Sequence, residues 1–215
     1  RNHLGIIGPI PLSEFEPASI AAKIAANPFA REALNKKPRI LTLTQGTYDG
    51  ILYNVEMIKE KLGSTIDNLH FDEAWLPHAS FHDFYENMHA IGENRPRPQE
   101  PLIFATHSTH KLLAGLSQAS QIVVQESETR QLDRNIFNEA FLMHTSTSPQ
   151  YAIIASCDVA AQMMEPPGGT ALVEESIRES MDFRRAMRKV ASDYGKDEWL
   201  SLIHISEPTR RYAIS

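Results

Sequence analysis

Leu102-Ile-Phe-Ala-Thr-His-Ser-Thr-His-Lys111 starts as an apolar strand and ends in hydroxyls, imidazoles and an amine. Leu102–Ala105 is a short apolar run of the buried-strand type, and Thr106–Lys111 carries the polar groups. Two upstream stretches have the same form. Ile66–Phe71 is a strand ending at Asp72, and Arg39-Ile-Leu-Thr-Leu-Thr44 is a strand running into the turn Gly46-Thr-Tyr-Asp-Gly50. Gln121–Val124 is a fourth strand. Between the first two strands, Val55, Ile58 and Leu62 recur at helical spacing, with Gly63 placed to cap the C-terminus. Pro17 can open an earlier helix, whose Ile20 and Ile24 share a face until Pro28 stops it. Helical patterns follow around Ile136–Met143, Tyr151–Met164 and Ala171–Val190, the last with Leu172, Ile177, Met181 and Met187 as its apolar set. Leu4–Ile10, broken by Gly5, Gly8 and Pro9, is loop-like, and Gly92–Pro101 reads as a surface loop. Strands separated by helices or long crossovers predict an α/β fold, a largely parallel sheet flanked by helices. Ligand groups in such sheets gather at the C-terminal strand ends, where Asp72 and Ser108–Lys111 fall.

Composition fits a soluble globular chain: 215 residues, 42% hydrophobic, 22% charged and 8% aromatic. Tyr151–Ala155, one of the longer apolar runs, is far too short to span a bilayer, so no membrane partner is expected. No signal peptide opens the chain, which makes a cytoplasmic location the expectation. The formal charge is −6, with basic residues scattered or paired with acids. That argues against nucleic acid, which requires a concentrated basic face, and is compatible with attracting a cationic substrate. The single cysteine, Cys157, excludes an intramolecular disulfide and reads as a small buried side chain.

Two strand ends hold the chemistry. One supplies the carboxylate of Asp72, within His70-Phe-Asp-Glu-Ala-Trp75. The other supplies Thr106-His-Ser-Thr-His-Lys-Leu-Leu113. Pyridoxal phosphate requires this set: a lysine for its aldehyde, a carboxylate to keep the pyridine nitrogen protonated, and hydroxyls or imidazoles for its phosphate. Phe71-Asp-Glu-Ala-Trp75 and Ala105-Thr-His-Ser-Thr-His-Lys-Leu-Leu-Ala-Gly-Leu-Ser-Gln-Ala-Ser120 resemble the cofactor motifs of bacterial arginine, lysine and ornithine decarboxylases. The likeness continues through Phe137-Asn-Glu-Ala-Phe141, His144-Thr-Ser-Thr-Ser-Pro149 and Asp182-Phe-Arg-Arg185, and covers Arg1 to Trp199.

The resemblance implies part of a fold-type I pyridoxal-phosphate-dependent, transferase-like large domain over residues 1–200. It implies Lys111 as the lysine that binds the cofactor aldehyde and Asp72 as the partner of the pyridine nitrogen. Ala74 would pack on one ring face with Trp75 beside it, and Ser108 and His110 would reach the phosphate or the reacting region. Ser146 would approach the phosphate from a neighbouring subunit, so the implied minimal unit is a homodimer, or a higher homo-oligomer. The substrate would be a basic amino acid, arginine or lysine before ornithine. It would lose carbon dioxide perpendicular to the ring plane, with His110 or Lys111 returning a proton to the same carbon. By this resemblance Arg1 would fall in the middle of a domain. The family segment that stacks on the other ring face would precede it, and a further domain would follow Trp199, so this chain by itself is expected to be inactive. Ser201–Ser215 changes character abruptly and resembles translated sequencing-adapter readthrough, hence a non-native tail.

Other readings stand beside this one. The same fold hosts aminotransferases and aldolases. His70, Asp72, His107 and His110 could form a metal hydrolase site, and a non-catalytic homologue could keep the fold. No metal is expected: His78 and His82 are one helical turn apart, but His89 is a poor third ligand, and a pocket-mouth or surface role is better. Asp72 could instead merely cap a helix, and Trp75 could serve only the core or an interface. Thr47 and Asp49 border the site or form an ordinary turn. Met163 and Met164 read as core or interface.

Overall fold

Alternation of apolar and polar residues organises the sheet. In the computed structural model, which describes residues 8–48, 50–93 and 95–194, Ile40–Thr44 is β1, Asn68–Asp72 is β2 and Leu102–His107 is β3. These strands pair in parallel, with Leu43 opposite Phe71 and Phe71 opposite Ala105. The fourth strand, β4 (Gln121–Gln125), pairs antiparallel with β3, and the order is β1-β2-β3-β4. The sheet is therefore largely parallel, with one reversed edge strand. The reversal has a local cause: the 108–120 link holds only the short helix Thr109–Leu112, not the crossover helix that a parallel return uses.

Five longer helices lie among the described residues. Numbered in chain order with the short one, they are α1 (Pro17–Ala26), α2 (Val55–Leu62), α3 (the short Thr109–Leu112), α4 (Arg134–His144), α5 (Tyr151–Met163) and α6 (Gly168–Tyr194). Helix α2 starts where the Asn54 side chain accepts from the Met57 N–H at 3.1 Å and ends at Gly63, whose φ of 44° suits glycine. Its Val55, Ile58 and Leu62 are wholly buried with Ile66, Leu69, Phe71 and Ile103. Burying each such side chain stabilises the fold by about 1.5–3 kcal/mol. On the opposite sheet face, Phe104 stacks with Phe137 of α4 at 6.5 Å, and Phe137 with Phe141 at 6.4 Å.

Some expectations are corrected or fall elsewhere. Cys157 is half-buried on α5, not sealed in the core. Met164 is buried while Met163 is half-exposed. The readings of Asp49, of the first residues and of the 201–215 tail lie outside the described residues. Among the described residues no helix is long and apolar enough to cross a membrane.

Candidate active site

Period-two alternation sorts the strand ends into two faces. Thr42 and Thr44, His70 and Asp72, and Phe104 and Thr106 point to one face, with Thr44 opposite Asp72 and Asp72 opposite Thr106. His70 bridges its neighbours there: Nδ1 lies 3.4 Å from Thr42 Oγ1 and Nε2 lies 3.2 Å from Thr106 Oγ1. A cavity of about 490 Å³ opens at this edge, and Asp72, Ala74, Trp75 and Lys111 all line it. Thr42, Thr44, Thr47, Tyr48, Tyr53 and Ile10 complete much of the wall.

The geometry of each group follows from its local structure. Asp72 is the last residue of β2, and its Oδ1 accepts from the Ala74 N–H at 3.1 Å, a bond that bends the chain back over the strand end. It does not cap a helix. Lys111 lies in α3, one short turn beyond β3. Its Nζ sits 5.0 Å from the centre of the Trp75 ring, which is 5.2 Å edge-on from Tyr48. Among the described residues no carboxylate forms an ion pair with Lys111. The cavity thus pairs an amine free of a carboxylate partner with a half-buried carboxylate and an aromatic wall.

The remaining sequence candidates sit apart. Ser108 precedes α3 and His110 lies within it, but neither lines the cavity. The His110 ring turns back instead, its Nδ1 donating to the Ala119 carbonyl at 2.8 Å. Ser146 is exposed in the link between α4 and α5, where its Oγ accepts from the Ser148 N–H at 3.1 Å. Thr47 borders the cavity as expected. The histidines weighed as metal ligands have separate partners. His78 meets the Tyr85 ring at 5.2 Å, His82 meets Glu174 at 2.8 Å, and His89 bonds the Tyr85 carbonyl at 3.0 Å. No three His, Cys, Asp or Glu side chains among the described residues are grouped to hold a metal ion. Burial pushes His78 below the usual imidazole range, and burial followed by Arg95 does the same to His89.

Sequence reading missed Tyr48, Tyr53, Thr42 and Thr44 as wall residues. The face rule could have found the two threonines, since they share the alternation of Asp72. Tyr53 gave no such signal: it is fixed by its hydroxyl accepting the Ile10 N–H at 2.9 Å, a contact far apart in sequence.

The mostly parallel α/β sheet brings an amine and a carboxylate to one strand-end cavity, where ligand groups gather in such folds. The chain belongs to the Orn/Lys/Arg decarboxylase major-domain family, whose description matches residues 1–208. It is 55% identical over 199 residues to lysine decarboxylase LdcA of Pseudomonas aeruginosa, covering 93% of this chain and 26% of that protein. It is 43% identical to the biodegradative arginine decarboxylase of Escherichia coli, covering 92% of this chain and 26% of that one. The solved structure of lysine decarboxylase A from Pseudomonas aeruginosa superposes with a TM-score of 0.80 at 54% identity, over 90% of this chain and 26% of that chain. The chain therefore spans about a quarter of the length of the curated relatives it matches.

Proposed function

We propose that a full-length enzyme carrying this domain uses pyridoxal phosphate to remove the carboxyl group of a basic amino acid, with lysine as the preferred substrate. The single observation that supports this best is the meeting of Asp72, Ala74, Trp75 and Lys111 in one strand-end cavity. The identity to a lysine decarboxylase supports the choice of lysine. The donor set fits the cofactor: an amine for its aldehyde, a carboxylate for its ring nitrogen and a small side chain, Ala74, leaving room for a flat ring. When bound, the cofactor supplies an electron-accepting ring conjugated to the substrate α-carbon.

The chain's own residues do the rest. Lys111 Nζ would hold the cofactor through its aldehyde. Asp72, fixed by its bond to the Ala74 N–H, would keep a proton on the cofactor's ring nitrogen by charge attraction. Trp75 and Tyr48 present aromatic surface along one wall and limit water there. For the returning proton, Lys111 Nζ lines the cavity, whereas His110 is held toward Ala119. Ser108 and His110 are proposed to assist at the phosphate, and Ser146 to act across a homodimer.

The test is release of carbon dioxide from carboxyl-labelled lysine, arginine and ornithine by the full-length enzyme. Diamine and carbon dioxide are expected, fastest from lysine; a keto acid without carbon dioxide would replace this reading with transamination. Asp72→Asn is expected to lower turnover about ten- to a thousandfold while cofactor still binds, each tenfold being about 1.4 kcal/mol. Unchanged turnover would remove the ring-nitrogen role.

A further inference from the structure

Behind the cavity, the same alternation creates a second row of groups. Leu41 and Leu43 lead to Gln45, Leu69 and Phe71 lead to Glu73, and Ile103 and Ala105 lead to His107, all on the α2 face of the sheet. Gln45 and Glu73 are buried to 0% and 1% exposure, unusual for side chains that cost so much to desolvate. Glu73 is satisfied on both oxygens. Oε2 accepts from His107 Nε2 at 2.9 Å, and Oε1 accepts from the Ala90 N–H at 2.5 Å. Its own backbone N–H donates to the Thr106 carbonyl at 3.0 Å.

We propose that Glu73 and His107 are a positioning pair that fixes the separation between Asp72 and Lys111. The inference rests on the function proposed above. Glu73 stands between Asp72 and Ala74, which both line the cavity, while His107 directly precedes Ser108 and the α3 turn that bears Lys111. Neither partner lines the cavity, so the pair acts on the reaction only through the residues it holds. The tie is firm because a carboxylate buried here cannot turn to water if His107 is lost. The Ala90 bond adds a third anchor by drawing the 88–90 stretch beneath the strand ends, where Gln45 Nε2 also reaches the Met88 carbonyl at 2.7 Å. Displacing the lysine turn from the aspartate by a fraction of an ångström would misalign amine and ring nitrogen together, and such misplacement is costly to rate.

The experiment uses the full-length enzyme and three variants. His107→Leu removes the donor. His107→Gln keeps a side-chain N–H for Glu73. The double variant Glu73→Met with His107→Leu removes both partners and leaves no unpaired buried charge. For His107→Leu and the double variant, kcat is expected to fall about tenfold or more with KM changed less than about twofold, the pattern of a lost transition-state alignment. The visible absorption band of bound cofactor should shift, and amide exchange across residues 106–112 should quicken in the cofactor-free protein. His107→Gln should restore all three readouts to near wild type. Should His107→Leu fail to fold, the double variant decides alone. Wild-type kcat, band and exchange in the double variant, or equal losses in His107→Leu and His107→Gln, would overturn the pairing. Borohydride reduction and peptide mapping of the wild type separate the two failures. A label missing from Lys111 overturns the proposed function. A label on Lys111 with an unaffected double variant overturns only the positioning pair.

Discussion

Around β1–β3, Val55, Ile58, Leu62, Ile66, Leu69 and Ile103 are closed to solvent, whereas along α4–α6 Ile136, Met143, Tyr151 and Phe183 each expose more than half of their surface. Both regions have apolar side chains at the spacing that their elements require. They differ in what meets those side chains. Helix α2 and the sheet close on each other, so the strand ends are held by contacts within this chain. Helix α4 meets the sheet through the Phe104–Phe137 stack, and α5 meets the β3–β4 link through the Leu116 N–H bond to Ser156 Oγ at 2.9 Å. Helix α6 meets the 78–85 stretch through Glu174 and His82, and all three leave apolar flanks exposed among the described residues. The cavity is thus built on the region that closes on itself, while the other region keeps its apolar side chains exposed among the described residues.

The largest effect expected is on chemistry carried by the closed region. Lys111→Ala in the full-length enzyme should abolish turnover and the reducible cofactor label together. Stability should stay within about 0.5 kcal/mol, because the side chain is exposed. Retained label on another lysine, read by peptide mapping, would move the site elsewhere.

Packing comes next. Phe71→Ala in this chain should cost about 3–5 kcal/mol. Tyr151→Ala, at a side chain 83% exposed, should cost about 0.5 kcal/mol or less. Urea midpoints measure both, and similar losses would erase the contrast between the regions. In the full-length protein, the Tyr151 loss should grow if α5 is covered there.

The smallest effect sits at the seam, where His78 and Tyr85 meet Leu172, Val173 and Ile177 across one cavity. His78 and His89 are both held below the ordinary imidazole range, mainly by burial. The unfolded chain therefore takes up protons first as pH drops below about 6.5. Stability from their neutral burial is full above that value and declines as pH falls toward the depressed folded-state values. The urea midpoint should be modestly lower at acid pH, and His78→Phe with His89→Gln should flatten that slope. An unchanged slope would assign acid sensitivity to other groups.

Legibility in the sequence followed the same divide. Strands β1–β3, helix α2 and its Gly63 terminus were readable because burial within this chain imposes a local period and a local cap. The direction of β4 was not, since Gln121–Val124 has no residue that marks polarity; only the short link before it does. Asp72 and Lys111 were picked out at or just beyond their strand ends, yet Glu73 was given no role of its own beside a more conspicuous aspartate. Continuing the Leu69–Phe71 alternation by one step would have placed it inside. The half-burial of Cys157 could not be read, because small apolar neighbours on α5 look the same whether or not another surface covers them.

The reversal of β4 also makes one strand pairing local in sequence and leaves the other distant. Lys111 lies in a link whose two ends are pinned to adjacent antiparallel strands, a contact that is local in sequence and needs little loop closure. Asp72 reaches it only after β2 pairs in parallel with β3 across the 73–101 segment, a longer closure that forms more slowly. The lysine's loop can thus be in place while the carboxylate is still absent. Under the proposed function, the amine that would take the cofactor aldehyde belongs to the local pairing, and the carboxylate that would meet its ring nitrogen belongs to the distant one.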